Sequence, residues 1–181
     1  MTGPLGLGAP VPVLETERLL LRGHTLADFP ACAEMWGDEV VTRHIGGRAS
    51  TREEVWARLV RYPGHWALMG FGFWAVEEKG SGRFVGELGY ADFRRDTQPD
   101  MGRDPEVGWA LSPWAHGRGF ATEAVKAATA WGDTQFQGRR TWCMIDPDNA
   151  ASIAVAEKAG YRRFATGRYK DGESLFFVRE P

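Results

Sequence analysis

The chain has 181 residues, of which 43% are hydrophobic, enough for one domain with a substantial core. Its formal charge of −2 and isoelectric point near 6.1 leave no global footprint for nucleic acid, and no apolar run reaches the roughly 18 residues of a membrane span. The two cysteines, Cys32 and Cys143, are too few for a disulfide framework and lack metal-ligand spacing, so buried free thiols are expected.

Residues 1–13, rich in glycine and proline, read as a mobile arm, and residues 14–181 as a single domain. The opening MTGPLGLGAPVPV lacks the positive region of a secretory signal, which makes the cytoplasm the expected location. Leu19 to Arg22 reads as the first strand, followed by helices over Thr25 to Trp36 and Thr51 to Val60. The second of these starts at Ser50 or Thr51, with Glu53 and Glu54 in its first turn, where the helix dipole favours negative charge. Phe71 to Glu78 and Arg83 to Phe93 read as a hairpin turning at Lys79-Gly-Ser-Gly82. Residues 94 to 105 read as a charged loop, ahead of a strand over 106–111 and a helix over 120–133. That helix carries Ala121, Ala124, Val125, Ala128 and Trp131 on one stripe to be buried. A strand over 139–145, a helix over 149–159 and closing strands near 161–168 and 174–179 complete the reading, with Asp171-Gly172 as the last turn.

Two segments carry chemistry. The run HGRGFATEA, His116 to Ala124, joins a strand to an amphipathic helix through two glycines and the small Ala121. The first amides of a helix have no intrahelical acceptor, and the dipole adds about half a positive charge there, so this junction is a cradle for an anion such as a pyrophosphate. It is neither of the better-known phosphate loops: no Gly-Lys-Ser/Thr follows, and Thr122 stands where the dinucleotide fingerprint needs its third glycine. The second segment is Asp146-Pro147-Asp148-Asn149-Ala150-Ala151-Ser152. Pro147 stops a β-like run, and Asp148 or Asn149 caps a helix that ends at Gly160.

Together these motifs resemble the GNAT acetyltransferases, specifically their RimJ/RimL-like branch. The superfamily's first motif, Gln/Arg-x-x-Gly-x-Gly/Ala, is met by His116-Gly-Arg-Gly119-Phe-Ala121. Its second, Asn-x-x-Ala-x-x-x-Tyr-x-x-x-Gly-Phe, is met by Asn149, Ser152, Ala156, Gly160 and Tyr161. The RimJ/RimL-like branch typically has Asn-x-x-Ser and lacks the tyrosine, as here. The run Glu15-Thr16-Glu17-Arg18-Leu19-Leu20-Leu21-Arg22 and the strand Glu106-Val107-Gly108-Trp109 match the same branch in kind, so the resemblance spans about residues 14 to 180. It departs at His116, where Gln or Arg is usual, and at Ala156, where many such enzymes carry the tyrosine that protonates the departing thiolate.

The resemblance implies an α/β fold: a mixed central sheet with two splayed parallel strands and helices on both faces. It implies transfer of an acetyl group from acetyl-CoA, with no metal, to a primary amine. The acceptor is a protein N-terminal α-amine or a small molecule such as an antibiotic or polyamine. A CoA-binding module that senses or scaffolds without turnover is the alternative of a different class. Neither nucleic acid nor membrane is an implied partner, and a homodimer is left open. Pyrophosphate is expected on the backbone of Gly117, Arg118, Gly119, Phe120, Ala121 and Thr122, with His116 beside it. Pantetheine is expected between strands 106–111 and 141–145, against the backbone of Trp109 and Leu111 and the side chain of Asn149. For Asn149 the purely structural reading is a helix cap.

Ser152 is the expected proton donor to the thiolate. An alkylammonium with a reference pKa of about 10.4 must lose a proton before it attacks, and a carboxylate can accept it. Glu106 is favoured and Glu87 is the second candidate, with Asp92 and Asp96 weaker; the bland reading of either glutamate is a solvated strand-end charge. His24, His44 and His65 form no ligand pair at metal spacing and read as surface or packing residues. Among Trp36, Trp56 and Trp66, one or two are expected to line the acceptor groove.

Overall fold

The computed structural model describes residues 10–180. The elements are β1 (Leu14–Glu15), β2 (Leu19–Arg22), α1 (Phe29–Trp36), α2 (Glu39–Thr42), α3 (Arg52–Met69), β3 (Phe73–Glu78), β4 (Arg83–Ala91), β5 (Thr97–Gln98), β6 (Glu106–Leu111), α4 (Phe120–Gln135), β7 (Thr141–Ile145), α5 (Ala150–Lys158), β8 (Arg162–Tyr169) and β9 (Gly172–Arg179). Single 3-10 turns at Leu26–Asp28 and Pro113–Ala115 lead into α1 and out of β6. One mixed sheet runs in the order β1-β2-β3-β4-β6-β7-β9-β8-β5. Every neighbouring pair is antiparallel except β6 and β7, which are parallel and joined through α4.

Side chains alternate across the strands, so the central strands β3, β4 and β6 each feed two cores. Trp74 and Val76 of β3, Leu88 and Tyr90 of β4, and Val107 and Leu111 of β6 pack with Ala124, Val125 and Ala128 of α4. On the opposite face Ala110 joins Cys32, Met35 and Trp36 of α1 and Val55 and Leu59 of α3, while Phe73 and Ala91 meet Tyr62. The sheet is therefore covered on both faces, as the family resemblance implies. The alanine stripe lets α4 lie close to the sheet, which sets its N-terminus against the end of β6.

Several boundaries differ from the sequence reading. The expected helix over Thr25 to Trp36 begins as a 3-10 turn and becomes α-helical at Phe29, with Pro30 in the first turn where its missing N–H costs nothing. The next helix opens on Thr51, one of the two expected starts, in a capping box with Glu54, but continues past Val60 to Met69. Pro63 and Gly64 weaken the local helix signal. Burial of Tyr62 and Trp66, which extend the stripe of Val55 and Leu59, outweighs that propensity, and Gly70 at φ +74° ends the helix. The charged loop 94–105 contains β5, which pairs with β8. It and the two-residue β1 are too short to carry a periodic signal.

The first nine residues of the expected mobile arm lie outside the described residues. The arm's end is anchored, because the Pro12 carbonyl accepts from Trp74 Nε1 at 2.8 Å and Val11 packs on the core.

Candidate active site

The cradle forms where the strand hands over to the helix. Gly117 and Gly119 take φ of +73° and +78°, left-handed values that L side chains rarely adopt, and Gly119 is the residue immediately before α4. Among the described residues no protein acceptor serves the amides of Gly117 to Thr122; the next, Glu123, bonds the Gly119 carbonyl at 3.1 Å. A run of unserved N–H groups at a helix start is the donor set that a pyrophosphate fits.

The side chains on this loop point elsewhere. His116 Nε2 lies 2.9 Å from the Leu111 carbonyl, so the imidazole donates there and pins the loop to the end of β6. Arg118 reaches Glu78 at 2.8 Å and lies over the rings of Trp114 and Phe120, leaving its backbone for the cradle. Beneath it, Arg18 pairs with Glu123 at 2.6 Å and donates to the Arg118 carbonyl at 2.9 Å, tying β2 to the loop.

Next to the cradle the sheet opens. β6 and β7 meet at a single register position, Glu106 opposite Trp142, where the Trp142 amide reaches the Pro105 carbonyl at 3.1 Å. Beyond it the strands splay. Backbone groups alternate between the two edges of a strand, so those of Trp109 and Leu111 face the gap rather than β4. Trp109 and Met144 line the opening, whereas the Leu111 side chain is buried and its carbonyl is already engaged by His116. Only the Leu111 amide is left for an incoming chain.

Across the gap, Asn149 caps α5 by accepting from the Ser152 amide at 3.0 Å through its side-chain oxygen. The cap leaves the carboxamide NH2 as a donor, so the structural and binding readings of Asn149 are compatible. Asn149 and Ser152 both line the cleft.

The two candidate carboxylates have different surroundings, and neither is a solvated strand-end charge. Glu106 lines the cleft but is only 6% exposed, and it pairs with Arg95 Nε at 2.6 Å. Burial raises its pKa above the usual carboxylate value, outweighing the opposing pull of Arg95. Arg95 in turn donates to the Tyr169 hydroxyl at 2.9 Å, which fixes the far side of the pair.

Glu87, on the same sheet face, does not line the cleft and is 1% exposed. One carboxylate oxygen accepts from Trp36 Nε1 at 3.0 Å and from the Tyr62 hydroxyl, and the other lies 3.6 Å from His24 Nε2 and 4.0 Å from Cys32 Sγ. Burial and then the Glu87 charge hold the Tyr62 phenol well above its ordinary pKa, and the same two effects push the Cys32 thiol up. Glu87 thus anchors Trp36 and Tyr62, which are themselves walls of the cleft.

The weaker carboxylates separate too. Asp92 lies away from the main cleft, 3.1 Å from Arg94, while Asp96 lines it.

Of the histidines, His24 is the one whose surroundings the spacing could not show, because His24, Cys32 and Glu87 place their donor atoms within 4.8 Å of one another. His65 bonds the Phe71 carbonyl at 2.7 Å and accepts from the Asp92 amide at 3.2 Å, a structural latch. His44 lies 3.4 Å from Asp146 at the cleft edge. Trp36 lines the cleft, Trp66 is buried in the core, and Trp56 is 44% exposed on the outer surface.

The cleft has a volume of about 1300 Å³ and runs from the β6–β7 gap to a wall made by α3 and the 43–47 segment of the loop before it. That wall contributes Arg43, Arg58, Arg61 and Tyr62, none of which the sequence reading singled out. The spacing of Arg58, Arg61 and Tyr62 at i, i+3 and i+4 is the signal that places them on one helical face. Arg95 and Tyr169 are brought to Glu106 only by tertiary structure.

The chain matches the family described as Acetyltransferase (GNAT) domain over residues 18–162 and belongs to that family. It is an acetyl-CoA-dependent N-acetyltransferase. The uncharacterized protein YkkB of Bacillus subtilis (strain 168) is 35% identical over 91 residues, so the match spans 50% of this chain and about half of the relative, 51%. A solved structure of a putative GnaT-family acetyltransferase from Bordetella pertussis superposes with a TM-score of 0.81 at 30% identity, covering 93% of this chain and 99% of that one.

Two more distant structures share the fold. The aminoglycoside acetyltransferase AAC(6')-Ib in complex with coenzyme A has a TM-score of 0.74 at 18% identity, covering 90% of this chain and 94% of that one. RimL, a ribosomal L7/L12 α-N-protein acetyltransferase in complex with coenzyme A, has 0.74 at 14%, covering 93% and 98%.

Proposed function

We propose that the enzyme acetylates a primary amine held in the α3-lined cleft, with Glu106 as general base and Ser152 as proton donor to sulfur. The observation that carries this reading is placement: the unserved amides of Gly117 to Thr122 follow the end of β6, and the cleft beside the β6–β7 gap is lined by Glu106 and Ser152. Acetyl-CoA supplies the activated acyl group when bound. The chain's residues do the rest. The loop amides and the α4 dipole hold the pyrophosphate, the Trp109 backbone and Leu111 amide pair with the pantetheine, and the Asn149 carboxamide meets its amides.

Glu106 takes the ammonium proton, directly or through water, so that the amine's lone pair is free to attack. Its raised pKa makes it a better proton acceptor than an ordinary glutamate, and Arg95 holds it in place. A peptide N-terminal α-amine and a small-molecule amine both suit this chemistry, and RimL and AAC(6')-Ib carry names of both kinds. We place the reaction in the cytoplasm; among the described residues no helix is long and apolar enough to cross a membrane.

Thiol release measured against pH with a panel of amines tests the base. Ionised Glu106 is lost as pH falls through its raised pKa, so parent activity should fall off on the acid side at a higher pH than an ordinary glutamate would give. Glu106→Gln should lower kcat/KM most at low pH and recover in part as solution hydroxide deprotonates the amine. A loss that is flat with pH would reduce Glu106 to a structural partner of Arg95.

Ser152→Ala tests the donor. Turnover should drop by about tenfold with little change in KM for acetyl-CoA, because the hydroxyl matters as charge develops on sulfur. Unchanged turnover would leave only the capping role of this turn.

A further inference from the structure

The charges lining the cleft are unevenly placed. The hairpin tip between β8 and β9 sets Arg168 and Lys170 against Asp171 and Glu173, and Glu106 is taken by Arg95. Where the 43–47 loop and α3 line the cleft, no acidic side chain does. Arg43, Arg58 and Arg61 line it, and among the described residues none of the three makes an ion pair. Arg58 is the most constrained of them. Its guanidinium lies 3.7 Å over the Trp36 ring, and its Nε is buried with no hydrogen-bond partner. Arg61, one turn further along, lies over Phe93 at 5.5 Å. Tyr62, the next residue after Arg61 on α3, lines the cleft beside both.

A stacked guanidinium without an ion partner is pre-set for a planar anion at its terminal nitrogens, because a carboxylate takes two donors at once. A polycationic acceptor would meet repulsion from the same wall. We propose that the acceptor is an amine whose own molecule carries a carboxylate close to the reacting nitrogen, seated on Arg58 and Arg61. This deepens the acetyltransferase reading above and rests on it. Two sources share that chemistry, a free amino acid and a peptide with acidic residues next to its N-terminus. Both present an amine a few bonds from a carboxylate.

The experiment measures acetyl transfer by the full-length enzyme to matched acceptors. These are glutamate and its diamide, an acid-rich peptide and a lysine-rich peptide of equal length, and spermidine. The carboxylate-bearing member of each pair should show kcat/KM at least about tenfold higher, an advantage that shrinks with added salt. Whichever of glutamate and the acid-rich peptide is preferred names the source. Arg58→Gln and Arg61→Gln should each reduce the advantage at least about fivefold with KM for acetyl-CoA unchanged, and Arg58→Lys should restore only part of it, since an ammonium lacks the fork.

Equal or better transfer to spermidine and the lysine-rich peptide would overturn the proposal while leaving the acetyltransferase reading intact. Absence of thiol release with every amine would overturn that reading instead. The anion site is then read on its own, by calorimetric titration of glutamate and the acid-rich peptide into parent and Arg58→Gln. Binding weakened at least about tenfold in the variant supports the site, and no binding to the parent overturns it.

Discussion

Glu87→Ala should cost about 3–5 kcal/mol of folding stability, the range expected when one member of a buried, charged hydrogen-bond set is removed. Its carboxylate is the acceptor for Trp36 Nε1 and the Tyr62 hydroxyl, with His24 and Cys32 close to its second oxygen. Alanine leaves those donors buried without a partner and opens a cavity between α1, α3 and β4. Urea denaturation is the measurement, and the midpoint should fall with little change in slope. Glu87→Gln keeps one oxygen and the side-chain volume, so it should lose less.

The same pair of variants settles which glutamate acts on the amine. If Glu87 serves only to hold Trp36 and Tyr62, its substitutions change activity in parallel with stability and at all pH values. A stable Glu87→Gln protein with activity lost selectively at low pH would move the base role from Glu106 to Glu87.

Gly119→Val should weaken acetyl-CoA binding at least about tenfold, the second large effect expected. Two causes act together. A β-branched residue at φ +78° is strained by on the order of 1–3 kcal/mol, so the loop that presents the amides shifts to relieve it. The added atoms also crowd the approach, since even a Cβ at this position lies 3.4 Å from Arg18 Nη2. Gly119→Ala carries most of the backbone strain with less bulk, and comparing the two separates the causes. Titration calorimetry gives the affinity, and circular dichroism shows that both variants remain folded. Parent-like affinity in a folded valine variant would place the pyrophosphate somewhere other than this loop.

What the sequence alone determined is local. Gly117 and Gly119 at a strand-to-helix junction announce an anion cradle because unserved amides at a helix start are a property of adjacent residues. The caps are narrowed to neighbours, Asp148 or Asn149 and Ser50 or Thr51, for the same reason, and the stripe of α4 follows from helical period. Motif order then carried the chain into its family, and the splay of β6 from β7 came with it.

Tertiary structure decided everything that depends on distant partners. Glu87 and Glu106 look alike in sequence, yet one is sealed behind Trp36, Tyr62 and His24 while the other faces the cleft beside Arg95, because α1, α3 and the 94–98 loop fold over different ends of the same sheet face. His24, eight residues from Cys32 and far along the chain from Glu87, joins them only when the residues between β2 and α1 cross β4. The helix α3 outruns its local signal at Pro63 because burying Tyr62 and Trp66 is worth more than the propensity lost. Arg61 lies beyond the expected end of this helix, so it joins Arg58 on the cleft wall only because the sheet is there to bury Tyr62 and Trp66.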